Sequence, residues 1–439
     1  MPLPSRRTFV QTAIAAGSTG RILGANDKVN LVVIGLGGRG RDHLNHYAGL
    51  SDCRIAGVCD IDQAAQERAV AQVEKLVGSK PQTFGDMRRV FDDKSVDAVS
   101  IVTPNHWHAL ATIWACQAGK DVYVEKPASH NIFEARQMVA AARKYKRIVQ
   151  VGSQSRSIQH KIRAMKLLEE GVIGRIYLSK GLCYKRRRSI GKQPDGPVPP
   201  GVDWDMFRGP AAMRPFNPNR FKYNWHWFWD TGNGDIGNQG VHEMDIARWG
   251  IGKDHTMPKS VFSYGGKFLY DDDQETPNTQ TAVFDYGDVQ VVFEVRGLIT
   301  DADAPLPVRG EHTIGNIFYG SDGYLAIDLH GFQVFKGDKH EKVMDEKYTE
   351  DRAWATAPHM QNFLSAVKSR RQQDAHAEIE IGASAASLCH LANISYRLGR
   401  KLEFDPKTWR FVGDVPSNNM LTRDYRKPYI VPQIDRAAI

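Results

Sequence analysis

A glycine-rich turn, Gly35-Leu36-Gly37-Gly38-Arg39-Gly40, and an ionisable pair, Glu125-Lys126, stand roughly 85 residues apart. Each directly follows a short apolar run. Gly35, Gly37 and Gly40 have the spacing G-x-G-x-x-G, between the run Val29–Ile34 and a helix expected over residues 41–50. In that setting the first glycine allows a tight turn. The second lets a pyrophosphate approach, and the third packs helix on strand. The phosphates then lie at the helix N-terminus, with Leu36, Gly38 and Arg39 completing the loop. Asp60 lies 20 residues beyond Gly40, at the end of the next expected strand. An acid there binds ribose hydroxyls and repels a 2′-phosphate, so the pattern predicts NAD in preference to NADP. Arg39 and Arg41 are the features that would serve NADP instead.

Beside such a dinucleotide, Lys126 becomes a chemical group. It ends the run Asp121–Val124, at the strand end where open α/β sheets bind ligands. A positively charged nicotinamide lowers the pKa of a nearby lysine, which suits acid/base work near neutrality. The plain alternative is a surface salt bridge between Lys126 and Glu125. Thr103-Pro104-Asn105-His106-Trp107-His108 follows another expected strand, over residues 98–102. Thr103, Asn105, His108 and Glu125 are therefore counted with Lys126 as cofactor contacts. His106 and His108 have no third ligand near them in sequence, so no metal is expected.

Two further stretches supply substrate chemistry. Asp235, Asn238, His242 and Asp245 are spaced three, four and three apart. On one helix, expected over residues 232–249, they share a face. Lys126 and His242 are the candidate proton carriers, with Asn238, Asp245 and Asp235 as further catalytic candidates. Just before them, Tyr223-Asn224-Trp225-His226-Trp227-Phe228-Trp229 could stack rings on a sugar. Candidate substrate contacts are Arg156, Trp225, His226, Trp227 and Asp245; the bland reading of the tryptophans is core. Lys185-Arg186-Arg187-Arg188 reads as a solvated loop.

These motifs together resemble the Gfo/Idh/MocA family, named for glucose–fructose oxidoreductase and inositol dehydrogenase. The resemblance rests on residues 35–40, 103–108, 124–127 and 240–249, and covers essentially the whole chain after residue 25. Val202-Asp203-Trp204-Asp205 with Gly209-Pro210-Ala211, then Arg397-Leu398-Gly399-Arg400 and Asp405-Pro406, look like its exported bacterial branch. The resemblance implies an N-terminal Rossmann domain and a C-terminal α/β domain whose open sheet commonly makes oligomer contacts, as a dimer or tetramer. It implies that Lys126 is the family lysine. It also aligns the family's Asp-x-x-x-His with Asn238 and His242, a departure, because an amide cannot accept a proton as a base. Lys126 and His242 then carry more of the acid/base work, or Asp235 substitutes.

The elements that must position these residues alternate in the first part of the chain. Strands are expected over 29–34, 54–59, 98–102, 121–124 and 148–151, with helices over 61–77, 108–118 and 132–145 between them. That alternation predicts a doubly wound parallel sheet. A largely antiparallel sheet follows, with segments at 281–286, 289–295 and 324–328, and helices over 158–170, 359–368 and 382–398. The fold class is thus α/β, a Rossmann domain over 26–150 and a second domain over 151–439 on a mainly antiparallel sheet; the resemblance implies that this sheet is large and open and that the domain serves substrate binding and oligomerisation.

With 439 residues, 41% hydrophobic and 25% charged, the composition is that of a globular protein of two domains. The net charge of +8 falls to +5 without Arg6, Arg7 and Arg21, which argues against nucleic acid. No apolar run reaches the ~18 residues a membrane span needs. Ser5-Arg6-Arg7-Thr8-Phe9, ahead of a short apolar stretch, resembles a twin-arginine export leader over residues 1–25, which predicts a periplasmic protein. Cys53 and Cys59 would lie ~20 Å apart on one strand, so no disulfide is expected. Folding before export implies NAD held tightly, loaded beforehand.

The reading is an NAD-dependent oxidoreductase acting on a sugar or polyol. Its rivals are a redox-neutral glycosidase or lyase working by transient sugar oxidation, and a non-catalytic sugar-binding protein that retains the nucleotide.

Overall fold

The computed structural model describes residues 27–348 and 356–434; the expected leader lies outside them. Strands β1 (Val29–Ile34), β2 (Cys53–Cys59), β3 (Gln82–Phe84), β4 (Ala98–Ile101), β5 (Asp121–Val124) and β6 (Val149–Val151) form a six-stranded sheet. Its order is β3-β2-β1-β4-β5-β6, and all pairs are parallel. β4 and β5 are buried along their whole length, as strands covered on both faces must be. Helices Gly38–Ala48, Gln63–Val77, Asn105–Gln117 and Ile132–Lys144 make the crossovers. The strand order reverses between β1 and β4, so the ligand crevice opens where Gly35 and Thr103 end those strands.

The second sheet has ten strands: β7 (Ile176–Lys185), β8 (Ser260–Gly266), β9 (Thr279–Asp285), β10 (Gln290–Arg296), β11 (His312–Gly320), β12 (Gly323–Ile327), β13 (Gly331–Lys336), β14 (Glu341–Lys347), β15 (Leu402–Asp405) and β16 (Arg410–Phe411). Its order is β14-β13-β12-β11-β7-β10-β9-β8-β15-β16; β7 and β10 are parallel and the other pairs antiparallel. Helices Gly240–Trp249 and Ile379–Leu398 cover one face. Val241, Met244, Leu388 and Leu391 pack there on Val261, Phe284, Val291 and Phe293. A Cβ on Gly240 would come within 2.9 Å of the Phe293 ring, so glycine is what lets this helix lie close to the sheet.

Three features depart from the sequence expectation. The first Rossmann helix starts at Gly38, not at residue 41, which brings its free N–H groups up to the glycine loop. The helix expected over 232–249 is two, Gly234–Asn238 and Gly240–Trp249, interrupted at Gln239. Finally, late segments return to the first sheet. Met360, Phe363 and Leu364 pack on Leu31, Val33 and Tyr123, while Tyr429, Val431 and Ile434 join the cluster around Trp107 and Met138. All five cysteines are buried free thiols. Among the described residues no helix is long and apolar enough to cross a membrane.

Candidate active site

The glycine loop is built to receive a phosphate-bearing ligand. Gly35 has φ +92°, and a Cβ there would come within 2.6 Å of the Val102 carbonyl oxygen. A Cβ on Gly40 would meet the Gly35 carbonyl oxygen, so the helix packs directly on the turn. At Gly37 and Gly38 the same test meets nothing within 4 Å. Open space at the N-terminus of an 11-residue helix fits a pyrophosphate. Asp60 braces the loop: Leu36 N–H donates to its Oδ2 (2.6 Å) and Asp62 N–H to its Oδ1 (2.9 Å). Burial pushes its pKa up, while those two bonds pull it down. Across the crevice, the Thr103 hydroxyl is buried with no partner among the described residues, at the mouth of β4. These features together fit a dinucleotide.

Glu125 and Lys126 are not a surface salt bridge. Glu125 is 4% exposed and is the hub of a buried network. Its Oε1 accepts from Arg39 Nε (2.8 Å), His43 Nε2 (2.9 Å) and Gln154 Nε2 (3.2 Å). His43 Nδ1 then faces the Ser100 hydroxyl at 2.9 Å, so a neutral ring donates to Glu125 and accepts from Ser100. Burial pushes the Glu125 pKa up, but Arg39 and His43 hold it well below the usual carboxylate range. Gly152 makes room for it: a Cβ there would lie 2.9 Å from the carboxylate. Arg39 is thus tied to Glu125 through its Nε.

The Lys126 ammonium turns the other way and donates to the Asn238 carbonyl oxygen at 2.9 Å. Burial lowers its pKa; Glu125 raises it, and Arg39, Lys185 and Arg187 lower it again. The half-buried His242 imidazole makes no hydrogen bond to another described residue. Burial first, then the charges of Lys126 and Lys161, hold it well below the usual histidine range, so it is neutral.

Asn238 donates from Nδ2 to the Tyr223 hydroxyl (3.2 Å) and toward Asp235 Oδ1 (3.5 Å). Asp235 is not free to act as a base, because Arg187 grips both its oxygens, Nη2 to Oδ1 at 2.6 Å and Nε to Oδ2 at 3.0 Å. Arg187 also donates to the Tyr223 hydroxyl at 3.0 Å. The basic run is therefore only partly a solvated loop. Lys185 ends β7 and donates to Gln239 Oε1 (3.0 Å), and Arg187 belongs to the site; Arg188 alone of the run is fully exposed. The signal available for this was the run Leu182-Cys183-Tyr184, buried throughout at the end of β7, which carries the residues after it past the core. A cavity of about 450 Å³ opens beside Arg187, Tyr223 and Trp227.

Four residues expected as contacts have partners within the protein. Arg156 is 4% exposed and forks onto Asp245, Nε to Oδ2 at 2.7 Å and Nη2 to Oδ1 at 2.8 Å. It also binds Asp254 and lies over the Trp249 ring at 4.8 Å. Arg156 and Asp245 thus complete each other and offer a substrate little. Asn105 donates to Asn233 Oδ1 (2.9 Å), tying the two domains together. His108 places Nδ1 against the Pro127 carbonyl (2.7 Å) and Nε2 against the Thr103 carbonyl (2.8 Å), which braces the two loops. Of the aromatic stretch, Trp227 is buried beneath the Arg187 guanidinium, 5.2 Å from its ring. The half-buried Trp225 and His226 stack at 3.6 Å; burial holds His226 down to about 3. Among the described residues no group of three or more His, Cys, Asp or Glu is placed to hold a metal ion.

Known proteins share this pair of domains. Residues 29–153 match the NAD-binding Rossmann fold of the Gfo/Idh/MocA oxidoreductases, and residues 159–298 and 329–431 match that family's C-terminal alpha/beta domain. The chain is 26% identical over 330 residues to levoglucosan dehydrogenase of Pseudarthrobacter phenanthrenivorans, spanning 72% of this chain and 75% of that one. It is 28% identical over 154 residues to a glycosyl hydrolase family 109 protein of Shewanella sp., about a third (34%) of either chain. An oxidoreductase domain protein from Kribbella flavida has the same fold, with a TM-score of 0.67 at 17% identity over 86% of this chain and 99% of that one.

Proposed function

Because the chain belongs to the Gfo/Idh/MocA family of NAD-binding oxidoreductases, we propose that it moves a hydride between NAD and a hydroxyl-bearing carbon of a sugar or polyol. The sugar class is supported by the likeness to levoglucosan dehydrogenase across most of both chains. The observation that carries the reading is the pair Lys126 and His242: a half-buried ammonium with one neutral acceptor, and a half-buried neutral imidazole with none. NAD, held by the glycine loop and Asp60, supplies the hydride acceptor when bound. The chain's own residues handle the proton. Neutral His242 accepts it from the substrate hydroxyl, and the Lys126 ammonium donates a hydrogen bond to the same oxygen as negative charge develops there. The Asn238 carbonyl aims that ammonium, and the Asn238 amide takes no proton.

Denaturing the purified protein should release NAD; release of NADP would overturn the role given to Asp60. Titrating the intact protein with sugars and polyols should change nicotinamide absorbance. Sugar binding without that change would favour a non-catalytic sugar-binding protein.

The family 109 glycosyl hydrolase likeness favours a second reading, a redox-neutral cleavage in which a sugar is oxidised, eliminates and is reduced again on the same NAD. It predicts glycoside cleavage with no added NAD, and silence across a panel of aryl glycosides would count against it. Either reading goes with export behind the Arg6-Arg7 leader, NAD loaded tightly before export, and a homo-oligomer. Fractionation of cells and native mass measurement test these.

A further inference from the structure

Three lysines of this site have no carboxylate in direct contact. Lys126 follows β5 by two residues, Lys185 ends β7, and Lys161 lies on the helix Gln159–Glu169. Each has one neutral acceptor: the Asn238 carbonyl at 2.9 Å, Gln239 Oε1 at 3.0 Å and Ser155 Oγ at 3.2 Å, respectively. None has a carboxylate within 4 Å among the described residues. An ammonium carries three N–H donors, so each keeps unmet ones, and Lys161 does so at 4% exposure. Leaving a buried cation this poorly matched is costly unless something else completes it.

The neighbouring acids are already committed. Glu125 serves Arg39 and His43, Asp235 serves Arg187, Asp245 serves Arg156, and Asp328 serves Arg309. Glu243 feels both Lys161 and Lys185, but burial pushes its pKa up to about 7, which weakens it as a counter-ion, and its carboxylate accepts from Gln239 Nε2 at 3.4 Å with neither lysine in direct contact. The lysines share one field: Lys126 and Lys161 both act on His242, and Lys185 acts on Lys126. At the cavity mouth, Arg186 also donates only to neutral oxygens, those of Tyr270, Arg187 and Gly297. Oxidised NAD would add a further positive charge to this site.

We propose that the substrate is an anionic sugar, bearing a carboxylate or a phosphate or sulfate ester. Its anionic group is received by Lys161 and Lys185, while Lys126 and His242 serve the reacting hydroxyl. This inference rests on the sugar oxidoreductase reading for the hydroxyl's partners, and its test is kept separate by reading binding as well as turnover.

The test uses the NAD-loaded full chain. Calorimetry compares glucuronate with glucose, galacturonate with galactose, and glucose 6-phosphate and glucose 6-sulfate with both. At least one anionic sugar should bind about tenfold tighter or more than its neutral partner, the yield of a charge-assisted contact. The carboxylate and ester arms identify which anion is meant. Lys185→Gln, at a half-buried position, and Lys161→Met should each reduce that preference without weakening the neutral sugar to the same degree. If Lys161→Met does not fold, Lys185→Gln decides. Equal or tighter binding of the neutral sugars, binding of no sugar, or a preference unchanged in the folded variants overturns the proposal. Oxidation of neutral sugars alone would overturn it and keep the oxidoreductase. Binding of an anionic sugar with no nicotinamide change would uphold it and sink the oxidoreductase.

Discussion

The helix Gly240–Trp249 carries two ionisable residues one turn apart that have met opposite fates. Asp245 is fully matched: both its oxygens lie in the Arg156 fork, Arg156 is shared with Asp254, and its guanidinium covers the Trp249 ring. His242 has no hydrogen-bond partner among the described residues, and the lysines nearest it are scarcely better served. Both groups lie in the same low-dielectric seam between the domains. A saturated cluster there fixes the helix relative to the Rossmann sheet, since Arg156 directly follows β6. An unsaturated cluster costs stability in the free protein, and that cost is recovered when a ligand brings the missing partners. Sequence chemistry alone cannot separate the two, because both are made of charged residues on one helix.

Two substitutions break the comparison if it is wrong. Lys126→Met should lower kcat by about 10²–10⁴-fold, the usual yield of a positioned proton-handling group, with NAD still bound. Its unfolding free energy should stay level or rise, because an under-matched half-buried cation is replaced by an apolar chain of similar length. Arg156→Met should do the reverse and cost about 3–5 kcal/mol of stability, since it strands the buried Asp245 and Asp254 carboxylates. Denaturant titration of both variants, alongside turnover, checks the pair. Unchanged turnover in Lys126→Met would remove it from the chemistry. A stable Arg156→Met would mean that the fork is not what holds this seam.

Much of the frame was legible because period and punctuation carry it. Buried runs such as Val29–Ile34 and Asp121–Val124 end in Gly35 and Glu125, and the parallel sheet follows from their alternation with helices. Lys126 and His242 were legible from motif and spacing. The fate of Asp245 was not, because its partner lies 89 residues earlier in the chain and nothing local announces a fork. Arg187 was hidden for a different reason. A run of four basic residues looks like solvent-facing charge, and only the tertiary structure shows Arg187 turning onto Asp235. Likewise, nothing in the sequence of residues 421–434 says that Tyr429 and Val431 complete the core of a sheet formed some 300 residues earlier.

A smaller effect concerns the departure at Asn238, and the structure supplies its reason. Asp235 Oδ1 lies 3.5 Å from the Asn238 amide nitrogen, which can donate to it; a carboxylate could only repel it. Asn238→Asp should therefore destabilise the protein by about 1–2 kcal/mol, the scale of a lost hydrogen bond plus like-charge contact in a buried site. The sign with pH follows from linkage. Repulsion raises the introduced carboxyl's folded pKa above its unfolded value of about 3.9, so the folded state holds the extra proton. The penalty is small in acid and grows as pH rises through the folded pKa. Denaturation midpoints at pH 4.5 and pH 8 measure it. A variant as stable as the parent at both would mean that Asp235 does not set the residue type at 238.

The finest test uses the field at His242. Its folded pKa is lowered first by burial and next by the Lys126 charge, with Glu125 opposing and Lys161 adding to it. Chemistry that needs the neutral imidazole should therefore persist below pH 6.5 before protonation shuts it down, so the acid limb of kcat/KM lies under the ordinary histidine value. Removing one cation weakens the repulsion. The His242 titration, followed by imidazole proton NMR, should move upward in Lys126→Met and stay below 6.5, because burial remains. Lys161→Met should move it the same way by less, and Arg156→Met combined with Asp245→Asn, which removes a cation and one of its own carboxylates together, should leave it nearly in place. Equal shifts from all three variants would show one diffuse field across the seam, and the division between a saturated and a starved cluster would fall with it.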